Sequence, residues 1–227
     1  MPPVIDRPLI AAVHATPASI PPLRGALAGE LPAARLWNLI DDQLGPDADA
    51  LGGELSPQLR DRMLRLVRHG IMGGADAVVI ACSMYGDVCE VAERIFTTPV
   101  FASDTDMIAD IVRAAPRRVA VLASLKGAAA DTTARLTATL AAGHHGTEVV
   151  PVFCARAAEA AASADTRALV EALAAGLDSA TGPFDIVCIA QYSLSPGADE
   201  LAAKTGLPVA SPTQSAARAI ARCLGAP

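Results

Sequence analysis

The sequence predicts an α/β protein of two pseudo-symmetric, doubly wound (flavodoxin-like) domains, each with a parallel four-stranded sheet, and with the active site in the cleft between them. Three observations carry this prediction. An internal repeat divides the 227-residue chain into two halves. Short β-branched runs alternate with longer helical stretches. The runs are almost continuously apolar, as strands that are covered on both faces must be.

The repeat is visible in matching segments. Asp76-Ala-Val-Val-Ile-Ala-Cys82 aligns with Asp185-Ile-Val-Cys-Ile-Ala-Gln191, an offset of 191 − 82 = 109 residues. The same offset pairs Pro99-Val100 with Pro208-Val209 without a gap. A period this long indicates two domain-sized units rather than a solenoid. We therefore expect a first domain over residues 1–114 and a second over residues 115–227.

Strands and crossovers follow one another in a regular order. Because a crossover between parallel strands is right-handed, this alternation predicts a doubly wound sheet in each half. The eight predicted strands are Leu9–His14, Arg35–Ile40, Ala77–Cys82, Val100–Ala102, Arg118–Ala123, Glu148–Phe153, Ile186–Ala190 and Val209–Ala210.

The helices between them carry start and stop signals. Ser56 and Pro57 supply an N-cap and a first-turn proline, and Gly73-Gly74 ends that helix. Its apolar face is predicted to hold Leu59, Met63, Leu66 and Val67. Further helices are predicted after Asp104, Gly127 and Asp165, and a last one from Thr213 to Leu224. The alanine-rich stretch Ala155–Ala164 has no clear assignment.

Composition and charge exclude several classes of function. A net charge of −6 and a pI near 5.2 argue against nucleic acid, which requires a clustered basic face. No apolar stretch approaches the roughly 18–20 residues that span a bilayer, so no membrane partner is expected. The start of the chain does not resemble a signal peptide, and five cysteines indicate reduced thiols. We expect a cytoplasmic protein with a small ligand.

The two special positions of the repeat lie where such sheets bind ligands. Cys82 and Gln191 each end a predicted strand, and the carboxyl ends of parallel strands form the ligand crevice. If the halves face each other about a pseudo-twofold axis, both side chains enter one cleft. A thiol at the start of a helix also meets the positive end of the macrodipole, which favours the thiolate. Cys82 is therefore a candidate base or nucleophile.

These segments resemble the aspartate/glutamate racemase superfamily. The resemblance rests on the strand ending in Cys82 in the first half, on its counterpart in the second, and on the Pro-Val pair that follows each. It implies an isomerase without a cofactor, in which two cysteines on opposite faces of the α-carbon exchange a proton. It also implies a small carboxylate substrate, a homodimer, and a C-terminal helix 212–224 that packs back on the first domain.

The carry-over from this family proceeds residue by residue. Cys82 matches the first cysteine, but Gln191 stands at the second, and a glutamine amide does not exchange protons near neutral pH. His14 ends the first strand and is a candidate acid or base, although a satisfied core histidine is equally expected. The candidate substrate-binding residues are Ser83, Ser124, Gln191, Tyr192 and Ser193.

Other reactive residues receive ordinary structural interpretations. The remaining cysteines, Cys89, Cys154, Cys188 and Cys223, are interpreted as buried packing groups. His144-His145 is interpreted as solvated loop, and no metal site is predicted. Lys126 is interpreted as a solvent-facing lysine that could otherwise lend charge to a carboxylate. Asn38 and Asp41 either reach the cleft or serve as capping and turn residues.

Three hypotheses of function remain from the sequence. The first is a cofactor-independent isomerase or racemase that moves a proton next to a carboxylate or carbonyl with one thiol. The second is a one-thiol decarboxylase similar in logic to arylmalonate decarboxylase. The third is a non-catalytic protein that binds a small carboxylate.

Overall fold

A computed structural model describes residues 7–143 and 146–225 of the chain. The interpretation of His144-His145 therefore lies outside the described residues. Contacts divide the chain into two compact units: residues up to Thr105 group with those from Ala216 onward, and Asp106–Ser215 forms the second unit. The first stretch of chain in the first unit thus ends at residue 105, whereas the division predicted from the repeat falls after residue 114.

Two parallel four-stranded sheets form the frame, one in each unit, and confirm the predicted fold class. Their strand orders are β2-β1-β3-β4 and β6-β5-β7-β8. Three strands are one or two residues shorter than predicted, because pairing ends at Ile80, Phe101 and Ile189. The strands are β1 Leu9–His14, β2 Arg35–Ile40, β3 Ala77–Ile80, β4 Val100–Phe101, β5 Arg118–Ala123, β6 Glu148–Phe153, β7 Ile186–Ile189 and β8 Val209–Ala210.

Helices fill the crossovers between these strands. The unassigned alanine-rich stretch contains a short helix of its own, α7. The helices are α1 Ile20–Glu30, α2 Leu44–Ala50, α3 Pro57–Met72, α4 Gly86–Ile95, α5 Thr105–Ala114, α6 Lys126–Ala142, α7 Ala157–Ala162, α8 Thr166–Ser179, α9 Ala198–Thr205 and α10 Pro212–Cys223. Among the described residues, none of these helices is long and apolar enough to span a membrane.

The aspartates of the repeat have a structural role that is the same in both units. The backbone N–H of Leu9 donates to Asp76 Oδ2 at 2.7 Å, and that of Arg118 donates to Asp185 Oδ2 at 3.0 Å. Each carboxylate therefore joins the start of the central strand to the start of its neighbour. Such charge-assisted bonds are stronger than neutral ones, which accounts for an aspartate in both copies.

The central strand of the second sheet shows why these runs are apolar throughout. Ala120 and Leu122 of β5 belong to one core cluster, which is shared with α7, α8 and α9. Val119, Val121 and Ala123 belong to another, which is shared with α5 and α6. Successive side chains of a strand point to opposite faces, so both faces of this sheet are covered and Val119–Ala123 are all buried.

In the first unit, α3 follows the predicted signals closely. The Ser56 side chain accepts a hydrogen bond from Leu59 N at 3.2 Å and so caps the helix. The buried face consists of Leu59, Met63, Val67 and Gly70, while Leu66 is only half-buried. Gly70 lies so close to the sheet that an added Cβ would be 2.7 Å from Ala11 Cβ.

Candidate functional site

Cys82 lies just beyond the carboxyl end of β3, at the start of a one-turn 3₁₀ segment, Ser83–Tyr85, that leads into α4. Its backbone is extended, with φ −144° and ψ 118°, and its carbonyl accepts a hydrogen bond from Tyr85 N at 3.2 Å. The thiol is half-buried and packs against the core of the first unit. Ser83, the next residue, is also half-buried.

Gln191 occupies the equivalent position in the second unit. It lies beyond the carboxyl end of β7 and precedes a 3₁₀ segment, Tyr192–Gly197. The backbone of Gln191 is extended, with φ −138° and ψ 139°. Its carbonyl accepts from Leu194 N at 3.1 Å, as that of Cys82 accepts from Tyr85 N. Tyr192 is buried and Ser193 is half-buried. The 109-residue offset therefore holds for local geometry as well as for sequence.

The structure brings together two of the predicted residues of the second unit, Ser124 and Gln191. Gln191 Oε1 accepts one hydrogen bond from Ser124 N at 2.8 Å and another from Ser124 Oγ at 3.1 Å. Ser124 follows β5, and β5 pairs with β7, so this contact continues the ladder beyond the last backbone bond, Ala190 N to Leu122 O at 3.0 Å. The Ser124 hydroxyl therefore donates its proton to Gln191 within the second unit.

His14 is fully buried at the end of β1, and both of its ring nitrogens have partners. Nδ1 lies 2.7 Å from Ser19 Oγ, and Nε2 lies 3.0 Å from Asn38 Oδ1. Sequence reasoning missed Ser19, although it is only five residues away. The arrangement favours the expectation of a satisfied core histidine, and a direct role in proton transfer stays a prediction.

Burial determines the charge of His14. Desolvation lowers its pKa from 6.5 to about 4, an effect that the hydrogen bond with Asn38 partly opposes. Which ring nitrogen donates depends on the tautomer. Ser19 Oγ also donates to Thr16 O at 2.8 Å, so its single hydroxyl proton serves either that carbonyl or Nδ1.

Tyr85, three residues after Cys82, is fully buried, and its hydroxyl donates to Leu44 O at 3.2 Å. Burial raises its pKa to about 12, and the charge of Cys82 adds to the shift. The phenol is therefore neutral at physiological pH and acts as a hydrogen-bond donor. It is not available as a base for the neighbouring thiol.

The sequence leaves two interpretations open for Asn38, Asp41 and Lys126. The contacts of Asn38 and Asp41 and the exposure of Lys126 favour structural roles. Asn38 holds His14, and Asp41 pairs with Arg62, with Oδ2 2.6 Å from Nη2. Asp41 Oδ1 also accepts from Gln43 N at 3.2 Å, which is a turn contact. Lys126 is exposed at the start of α6, and its Nζ lies 5.8 Å from the centroid of the Phe153 ring.

The remaining cysteines are packing groups with one exception. Cys89, Cys154 and Cys188 are buried in core clusters, as predicted. Desolvation raises the pKa of Cys154 to about 11, which makes it an unreactive thiol. The packing interpretation of Cys223 is wrong, because this last residue of α10 is exposed.

Two open grooves lie on the second unit. One lies between α7 and α8 and is lined by residues such as Arg156, Glu159 and Glu171. The other is bordered by Phe184, Lys204 and neighbouring residues. Neither includes a predicted site residue. The candidate functional residues therefore remain Cys82 and Gln191, beyond the carboxyl ends of β3 and β7.

Comparison with known proteins finds similar structures but no similar sequences. No protein-family model matches the sequence, and no curated protein matches it. Solved structures do match. Aspartate racemase from Picrophilus torridus superposes with a TM-score of 0.74 over 97% of this chain and 95% of its own length, at 12% identity. The chain has the fold of the aspartate and glutamate racemases.

Other structures of the racemase fold match at similar quality. Allantoin racemase from Klebsiella pneumoniae gives a TM-score of 0.66 at 15% identity, over 96% of this chain and 88% of that one. Arylmalonate decarboxylase gives 0.65 at 18% identity, over 96% and 93%. These neighbours belong to the superfamily that the sequence resembles, which confirms the resemblance for the fold.

Proposed function

We propose that this protein is a racemase-type enzyme that needs no cofactor and moves a proton next to the carboxylate or carbonyl group of a small acid, with Cys82 as its single catalytic thiol. The observation that carries the proposal is the position of Cys82. It is a half-buried thiol at the carboxyl end of a parallel strand, followed at once by helical turns. Ligands bind at such strand ends in open α/β sheets.

The local backbone supports thiolate chemistry at Cys82. Cys82 directly precedes the 3₁₀ segment Ser83–Tyr85, and α4 continues that segment. Partial positive charge at a helical start favours the thiolate, which is the reactive form. Tyr85 contributes no competing base because its phenol stays protonated. Cys154 also follows the carboxyl end of a strand, β6, but it is buried, and burial raises the pKa of its thiol to about 11.

The proposed step balances with one thiolate. The sulfur of Cys82 takes the α-proton, the C–H bond breaks, and its electron pair moves onto the carbonyl or carboxylate oxygen as an enolate. Hydrogen-bond donors at that oxygen lower the barrier. In the proposal, the hydroxyl of Ser83, the residue after Cys82, supplies such a donor. Return of a solvent-derived proton from Cys82 completes an exchange at the α-carbon.

The residues of the second half of the repeat make inversion at the α-carbon harder than proton exchange. Gln191 stands where the repeat has a thiol in its other copy, and an amide neither gives nor takes protons at neutral pH. His14 is neutral and bonded at both nitrogens. Inversion therefore requires an acid other than these two, such as water. Solvent exchange at the α-carbon is expected to be faster than net racemisation.

A one-thiol decarboxylase is the second candidate. It is favoured by the absence of a thiol at position 191, because protonation of a carbanion after loss of CO₂ needs a single acid on one face. Arylmalonate decarboxylase shares the fold. In this reaction the C–C bond to the carboxylate breaks, CO₂ leaves, and the thiol of Cys82 delivers its proton to the carbanion.

One experiment separates these functions. The protein is incubated in D₂O with both enantiomers of aspartate and glutamate, with allantoin and with phenylmalonate. Loss of the α-proton signal by NMR and release of CO₂ are followed together. We expect α-proton exchange that disappears in Cys82→Ser. Release of CO₂ from phenylmalonate that disappears in the same variant would replace the first function with the second.

The matched control is Cys223→Ser, which removes an exposed thiol at the end of α10. It should retain full activity. Binding of a carboxylate without exchange or CO₂ release, and unchanged in Cys82→Ser, would contradict both catalytic proposals. That result would leave a non-catalytic carboxylate-binding protein.

A further inference from the structure

We propose that Ser124 is a positioning residue that fixes the orientation of the Gln191 amide and makes Gln191 a selective donor to a carboxylate. This inference rests on the proposed function for the identity of its ligand. Ser124 itself does not touch the ligand in this assignment. It acts through Gln191, to which it gives two hydrogen bonds.

The orientation of the amide follows from the chemistry of its partner. A backbone N–H can only donate, so the Gln191 atom that lies 2.8 Å from Ser124 N must be the carbonyl oxygen. Ser124 Oγ donates to the same oxygen at 3.1 Å. A carbonyl oxygen has two lone pairs, and both are occupied here. A 180° rotation of the amide would place Nε2–H against the Ser124 N–H and lose that bond, and the Oγ contact could persist only with Oγ as the acceptor.

The surroundings make this contact rigid. Ser124 is 7% exposed and follows Ala123, which is fully buried in β5. Its neighbour along the sheet is β7, whose last residue, Ile189, pairs with Leu122. Gln191 thus takes the position of the next acceptor in the ladder. Because the oxygen is held on the sheet side, the Nε2 group is the end of the side chain that remains for a ligand.

The consequence is selectivity by hydrogen-bond type. Nε2 carries two N–H donors and no acceptor, so it matches a carboxylate or enolate oxygen. A reversed amide would present an oxygen to another oxygen and repel it. Ser124 therefore favours ligands with an oxygen acceptor, and the first unit has no counterpart because the residues equivalent to Ser124 and Gln191, at 124 − 109 = 15 and 191 − 109 = 82, are Ala15 and Cys82.

The test uses NMR of the full chain with succinate as the probe and succinamide as its uncharged analogue. A correlation across the hydrogen bond between Ser124 N and Gln191 Cδ should be present without ligand. The Gln191 Nε2 resonances should shift with succinate and respond more weakly to succinamide. Absence of the correlation, or a Gln191 amide that does not respond to succinate, would overturn the proposal.

Variants distinguish positioning from a structural role. Ser124→Ala keeps the backbone donor but removes the hydroxyl, so succinate should bind about five- to tenfold more weakly. Ser124→Thr keeps both donors and should restore affinity to within about twofold of the wild type. Ser179→Ala removes a serine that donates to its own helix, and it should change nothing. Equal affinity in Ser124→Ala and wild type would contradict the inference.

The catalytic proposal and this inference fail separately. If Cys82→Ser retains the amide response to succinate while wild type shows no α-proton exchange, the proposed function is wrong and the assignment of Ser124 stands. If exchange depends on Cys82 but Ser124→Ala changes neither KM nor the amide response, the proposed function stands and the assignment of Ser124 is wrong. For a true positioning residue the loss should appear in KM more than in kcat.

Discussion

Replacement of His14 by asparagine should remove a pH dependence from the stability of the protein. The imidazole has a pKa of about 4 in the folded chain, lowered from 6.5 by burial. Above about pH 6.5 the ring is neutral in both states and has no effect on the pH dependence. As the pH falls toward 4, the unfolded chain binds a proton that the folded chain does not, so the free energy of unfolding decreases. Below about pH 4 the loss levels off.

The magnitude follows from the two pKa values. At pH 5 the linkage amounts to about 2 kcal/mol relative to pH 8, and it approaches about 3 kcal/mol at still lower pH. Solvent does not screen the charge of a protonated His14 in the folded chain, because this residue is 0% exposed. Urea unfolding at pH 8 and pH 5 measures the difference for wild type and for His14→Asn. Only the change between the two pH values matters, since the substitution itself costs stability at both.

The matched control for this measurement is His69→Asn, at an exposed histidine of α3. Wild type should lose about 2 kcal/mol more than His14→Asn between pH 8 and pH 5. NMR provides an independent readout, since the ring resonances of His14 should not titrate until the pH approaches 4. An equal loss in wild type and His14→Asn would refute the neutral, buried histidine.

Three further predictions concern packing and the two special positions of the repeat. Gly70→Ala should destabilise the fold by about 1–2 kcal/mol in urea unfolding, because overpacking outweighs the gain in helix propensity. Its control is Gly25→Ala, whose added Cβ meets nothing within 4 Å and which should be neutral or stabilising in the same assay. Gln191→Cys should increase net inversion relative to exchange in an NMR and polarimetry assay, and no change with the fold intact would count against a role for position 191. Cys82 should be alkylated at pH 7 faster than exposed Cys223, as measured by mass spectrometry of peptides, and an equal rate would exclude an activated thiolate.

The fold was predictable because local and periodic signals agree. Continuous apolar runs such as Ala77–Ile80 require cover on both faces, and the structure provides it. The caps at Ser56 and Asp165 were also predictable, since a short polar side chain before a helix accepts from its first turn. The alanine-rich stretch before α8 was not assigned, because alanine alone marks neither a face nor an end.

The contacts within the site depend on register, which sequence patterns do not determine. Asn38 pairs with Ala12 across β1 and β2, so it lies diagonal to His14 on the same face of the sheet. Nothing in either segment fixes that alignment. Ser124 and Gln191 were both expected near a ligand, yet they are 67 residues apart and their mutual bond required the pairing of β5 with β7. Cys223 was misassigned because a helix end can leave its last side chain in solvent.

The most direct test of the central claim is α-proton exchange in D₂O with wild type, Cys82→Ser and Cys223→Ser side by side. We predict exchange on at least one small carboxylic acid of the panel in wild type and Cys223→Ser, and none in Cys82→Ser. Exchange that survives in Cys82→Ser would contradict the assignment of Cys82 as the single catalytic thiol.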